Sequence, residues 1–248
     1  HDERRMIQSV FDLASTSART GELRFTPGLS ASDVRFCAVF PTVGAVNASQ
    51  SPAQLPEAQR ASAPRMYTWI SDTGRVIEQV RVVPKGDSSR ARGRIVSATH
   101  SDHDAFTVEY EAEIASDHSL RRVRLTTTTE EYERTIDLVC DAEGSWLLDD
   151  PTDTRSRVGS EGVVDVDVTY SVFFASLMIR RLGLDSQPGS AEARVLSVDS
   201  MTLEVTEDTV TMSSDDEHVH GITATASTSA TVDSDGMILD VPGLSRRV

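Results

Sequence analysis

The chain has 248 residues and a formal net charge of −15, enough length to bury a core in one large domain or two small ones. So acidic a chain excludes nucleic acid and anionic membrane surfaces as expected partners, because both are held through clustered cations. No stretch of roughly 18 apolar residues occurs, so no integral membrane segment is expected, and a soluble protein with a cytoplasmic location is the default.

Hydrophobic residues make up 38% but aromatics only 5%, so the core must come mainly from Val, Leu, Ile and Ala. Cys37 and Cys140 each sit in an apolar run, where a free thiol behaves as a small core hydrophobe. Both are read as reduced.

Residues 1–65 read as a partly irregular amino-terminal extension. A short helix is expected around Arg4 to Leu13 and a strand in DVRFCAVF, followed by NASQSPAQLPEAQRASAP, which has linker composition.

From Met66 onward the dominant signal is alternation with period two. FTVEYEAEI puts Phe106, Val108, Tyr110, Ala112 and Ile114 on one face and Thr107 and three glutamates on the other. YERTIDLVC repeats the pattern, with Arg134 as the exception. VVDVDVTYSV sets Val164, Val166, Val168, Tyr170 and Val172 against Asp165, Asp167, Thr169 and Ser171, and GITATASTSATV alternates more weakly. Turn signals at Thr73-Gly74, Lys85-Gly86-Asp87, Glu143-Gly144-Ser145, Pro188-Gly189-Ser190 and Asp235-Gly236 separate the runs.

Many half-buried strands in sequential hairpins predict an all-β fold: an antiparallel curved sheet that closes into a barrel or roll, with few short helices. Its enclosed face is where a ligand cavity is expected. SVFFASLMIRRLGL breaks the alternation. It reads either as a short buried helix or core-crossing strand ending in solvated arginines, or as the apolar lining of a cavity with an arginine turned toward a polar head group.

No nucleophile elbow and no glycine-rich phosphate loop is present, and no cofactor is expected. His100, Asp102, His103 and Asp104 form one acidic-histidine cluster, and Asp215, Asp216, Glu217, His218 and His220 form another. Both read as solvated hairpin loops more than as metal sites, so no metal is expected. Asp165 and Asp167 share a strand face roughly 7 Å apart by strand geometry. Such a pair could act as acid and base, but solvent exposure or pairing with Arg180 and Arg181 is the simpler reading. Trp69 and Trp146 are either core residues or flat platforms for a sugar ring.

VVDVDVTYSVFFASLMIRRLGL, taken with the closing DGMILDVPGLSRRV, resembles the bacterial putative glycolipid-binding family. The matching positions are Asp165, Asp167 and Ile179 to Leu182, then Asp235, Gly236, Asp240, Pro242, Gly243, Leu244, Arg247 and Val248. The likeness takes in residues 66–248. It implies a spiral, half-open β-roll of lipoprotein-carrier type whose apolar interior holds an acyl-bearing ligand. Two departures stand out: Ala175, Ser176, Leu177 and Met178 replace a usual Asn-Thr-Leu-Pro, and Val241 and Ser245 replace a Tyr and a Trp. Losing those aromatics weakens the case for sugar stacking.

The expected function is non-enzymatic binding of a small amphiphilic ligand, a glycolipid or other acyl compound, in an apolar cavity. Arg180 and Arg181 are expected at the head group, Phe173, Phe174, Leu177 and Met178 along the acyl part, and Trp69 and Trp146 nearby. The rivals are a hydrolase or isomerase using Asp165 or Asp167, and an interaction module with a filled core. Oligomeric state is not legible.

Overall fold

Phe106, Val108, Tyr110, Ala112 and Ile114 are all buried, while Glu109 and Glu111 face solvent, so the alternation in this run translates directly into a two-faced strand. The same holds along most of the sheet. The structure is a computed structural model that describes residues 63–101, 103–151, 155–215, 217–222 and 227–248. The helix and strand expected within residues 1–62, and Cys37, lie outside the described residues, as do Asp102 and Asp216 of the two acidic-histidine clusters.

Among the described residues, fifteen strands form one sheet. The first eight are β1 (Arg65–Ser71), β2 (Val76–Lys85), β3 (Ser88–Ser97), β4 (Phe106–Ile114), β5 (Leu120–Thr128), β6 (Glu133–Cys140), β7 (Trp146–Asp149) and β8 (Ser156–Val158). The short strand β9 (Asp165–Val168) leads into helix α1 (Val172–Arg181). There follow β10 (Gly189–Val198), β11 (Val205–Ser214), β12 (Val219–Ile222), β13 (Ser227–Val232), β14 (Ile238–Val241) and β15 (Ser245–Arg247).

The spatial order runs from β8 back to β1, then β15 back to β9, so the last strand lies beside the first and two antiparallel meanders meet there. Trp69 pairs with Arg247 and Ser71 with Ser245 across that junction. Gly243, at φ 79°, makes the turn between β14 and β15. Arg247 reaches Asp233 at 2.5 Å and lies over the Tyr67 ring, which accounts for one of the two closing arginines.

The two ends of the order are joined by side chains instead of a backbone ladder. Trp146 Nε1 donates to the Val163 carbonyl at 3.1 Å, Tyr132 Oη to that of Met201 at 3.0 Å, and Arg134 to that of Thr202 at 2.6 Å. Arg134 also pairs with the buried Asp150 at 2.6 Å, so its place on the apolar face of its run has a partner. The result is an open, curled sheet.

Three local expectations change. β9 pairs in parallel with β10, so the sheet is not wholly antiparallel; a parallel neighbour needs a crossover, and α1 is that crossover. β9 is buried on both faces, not half-buried. The alternation in GITATASTSATV is split between two strands, with Val219 opposite Ala230 and Gly221 opposite Thr228. A run without large apolar side chains does little to fix one register.

α1 mixes strand formers (Val172, Phe173, Phe174, Ile179) with helix formers (Ala175, Leu177, Met178), and its ends decide for the helix. Ser171 Oγ accepts from Phe174 N at 3.3 Å, a standard N-cap. At the other end Gly183, at φ 69°, allows Leu184 N to reach the Ile179 carbonyl at 3.1 Å and Gly183 N that of Arg180 at 3.0 Å, a Schellman stop. Val172 through Ile179 are all buried, as expected for a helix that is apolar all round. Among the described residues no helix is long and apolar enough to cross a membrane.

Candidate functional site

The inner face of the sheet is covered by α1, and the polar contacts that hold the helix define the interior. At its N-terminus stands Glu78, on β2, only 2% exposed. Its Oε1 accepts from Tyr110 Oη at 2.7 Å and Ser171 Oγ at 2.5 Å, and its Oε2 accepts from Val172 N at 2.6 Å and Phe173 N at 3.1 Å. A carboxylate there satisfies the orphan amides of the first turn and meets the positive end of the helix dipole. Burial pushes the Glu78 carboxyl upward against the pull of its four donors, and burial beside Glu78 raises the Tyr110 phenol well above its usual range.

Tyr110 reaches Glu78 across an intervening strand. Gly93 on β3 lies opposite both Val80 and Tyr110, and a Cβ there would come within 2.1 Å of the Tyr110 ring. Glycine at this position lets the phenol lie flat over β3 and reach β2.

Midway along the helix, Ser176 Oγ donates to the Val172 carbonyl at 2.8 Å and accepts from Ile238 N at 3.1 Å. Trp69 Nε1 donates to the carbonyl of that same Ile238 at 2.8 Å. At the C-terminal end Arg181 grips Asp165 in a bidentate pair, with Nε to Oδ1 at 2.7 Å. Burial raises the Asp165 carboxyl while Arg181 holds it down. Arg180 is half-buried and makes no ion pair with a described residue. It lies close enough to His118 to help burial lower that imidazole's pKa, with Asp185 acting in the opposite sense.

The residues expected to line a cavity are thus placed as follows. Phe173, Phe174, Leu177 and Met178 are 1–3% exposed and occupy the interior themselves. The two phenylalanines pack on Tyr110, with ring centroids 6.0 and 5.1 Å away. Trp69 and Trp146 are fully buried, each with its indole N–H bonded to a backbone carbonyl. The space beside Glu78, lined also by Trp69, Tyr170 and Val172, amounts to about 20 Å³, near the size of one water. Asp165 is engaged by Arg181. Asp167 is 6% exposed and its carboxyl is raised to about 6 by burial and by Asp208.

Among the described residues no group of His, Cys, Asp and Glu is arranged to hold a metal. His220 instead contacts Asp215 at 3.1 Å, and Asp215 caps its own turn by accepting from Glu217 N and His218 N. Sequence reasoning passes over Glu78, although a glutamate at an apolar position of VIEQVRVV is the signal that marks it.

A crystal structure of a DUF1089 family protein from Pseudomonas aeruginosa matches with a TM-score of 0.57 and 23% identity, over 69% of this chain and 92% of that one. This is a likeness of fold. A β-barrel-like protein of domain of unknown function DUF1849 from Brucella abortus matches with a TM-score of 0.37 and 12% identity, over 74% of this chain and 93% of that one. No curated protein matches the chain. The family model described as "Putative glycolipid-binding" matches residues 66–247, the span that carries the sheet, α1 and the Glu78 clasp, and the chain therefore belongs to that family.

Proposed function

We propose that the protein binds an amphiphilic, acyl-bearing ligand and performs no chemistry on it. The observation that supports this reading is that one helix, buried from Val172 through Ile179 and apolar there except for Ser176, packs on the inner face of the curled sheet. An acyl chain needs the same kind of surface, and it can gain it by taking the place of side chains on this single element. Phe173, Phe174, Leu177 and Met178 would yield or border that space. Arg180, at the C-terminal end of α1 and without an ion-pair partner among the described residues, is the cation available to a polar head group, whereas Arg181 is already committed to Asp165. The family description, which names glycolipid binding, points the same way.

One observation favours a different reading, an interaction module with a filled core: the interior pocket beside Glu78 offers only about 20 Å³. Native mass spectrometry of protein from several expression hosts, joined to titration with a fluorescent fatty acid, separates the two. A binding protein carries lipid or takes up the probe saturably, with faster amide exchange in residues 172–181 as the helix is displaced. A clean apo mass with no probe uptake overturns the proposal.

A further inference from the structure

The outer face of the sheet carries a groove of about 630 Å³, within the usual size range of small-molecule sites. It lies between two cross-strand rows. In one, Arg81 on β2 faces Arg92 on β3, which faces Glu111 on β4, which faces Arg124 on β5. In the other, Gln79, Arg94, Glu109 and Thr126 follow one another in the same way. Backbone at Gly93 and Tyr110 forms the floor between them.

The charges in this groove do not cancel. Glu111 is taken by Arg92 at 3.0 Å, and Glu109 by Arg94. Arg81 and Arg124 make no ion pair or hydrogen bond with a described residue; Arg124 stands between Glu111 and Asp137 on the neighbouring strands, but those carboxylates are engaged by Arg92 and Arg122, so the lining carries four arginines against two glutamates. Arg81 moreover stands directly opposite Arg92, a like-charge arrangement that costs stability unless something lies between the two. Each guanidinium presents planar paired donors suited to oxyanions, and a phosphate monoester carries close to two negative charges at neutral pH.

We propose that this groove is a binding site for a small phosphate-bearing molecule. It lies on the face of the strands opposite α1, so it is a second site that goes beyond the acyl-binding reading and does not depend on it. Phosphate of this kind reaches a protein either as a soluble compound or as a lipid head group.

The test is isothermal titration at low ionic strength with inorganic pyrophosphate and, separately, with a short-chain phosphatidic acid kept below its micellar concentration. Saturable binding that weakens with added salt is expected, with affinity lowered about tenfold or more in R81Q/R124Q. The variant R121Q, outside the groove, should bind as the native chain does. Neither Arg81 nor Arg124 holds a structural partner, so the double variant should melt no lower than the native chain; R81K/R124K, which retains charge and loses the planar fork, provides the check if it does, and should also bind more weakly. Binding of pyrophosphate alone assigns the site to soluble phosphates, and binding of the phosphatidic acid assigns it to head groups. Binding of neither, binding indifferent to R81Q/R124Q, or binding of polyglutamate in place of both overturns the proposal. Fatty-acid uptake in the interior should be untouched by R81Q/R124Q, which keeps the fate of this site separate from that of the other.

Discussion

Asp167 is buried on β9, close enough to Asp208 and Asp165 for both to add to the effect of burial, and its carboxyl is raised to about 6. An unfolded aspartate ionises near pH 4, so between about 4 and 6 the folded chain holds a proton that the unfolded chain has released. Stability attributable to this residue therefore falls as pH rises through that window. Asp167→Asn removes the effect and should raise stability at pH 7 by on the order of 1–3 kcal/mol, with no gain at pH 3. Urea denaturation at the two pH values reads the difference. Asp165, its neighbour two residues away, is also raised by burial, but Arg181 pulls against that rise, a pairing already among the readings that residue types alone allow. Nothing in the sequence distinguishes the two aspartates, because which of them meets an arginine depends on where the helix ends.

At the scale of elements, α1 shows how caps settle what composition leaves open. VFFASLMI is ambiguous by periodicity, since a short apolar run suits a buried strand as well as a helix. The serine before it and Leu-Gly-Leu after it are the legible signals, and they agree with the observed N-cap and Schellman stop. What holds the helix in place is not local: Glu78 lies more than ninety residues away in sequence. Glu78→Gln keeps the shape but puts an amide NH₂ or a single acceptor where two backbone amides and two hydroxyls now converge. A loss of about 1–3 kcal/mol is expected. Hydrogen exchange should locate the damage, with amides of residues 172–181 losing protection before those of β2 to β5.

For the whole molecule, the junction between β1 and β15 joins the two meanders. Deleting Ser245–Val248 unpairs one side of β1, removes the Arg247–Asp233 pair and leaves an open strand edge. Loss of cooperative unfolding and concentration-dependent aggregation are expected, visible by calorimetry and size-exclusion chromatography. A deletion variant that melts like the native chain would mean that the junction contributes little.

By itself, the sequence determined the strand pattern, the all-β class and the family, because alternation and hairpin turns are local and are written in neighbouring residues. Only the tertiary structure decided that β9 runs parallel to β10, that Glu78 and Tyr110 meet over Gly93, and that α1 covers the inner face. Each of these depends on residues far apart in the chain that meet only once the sheet has curled.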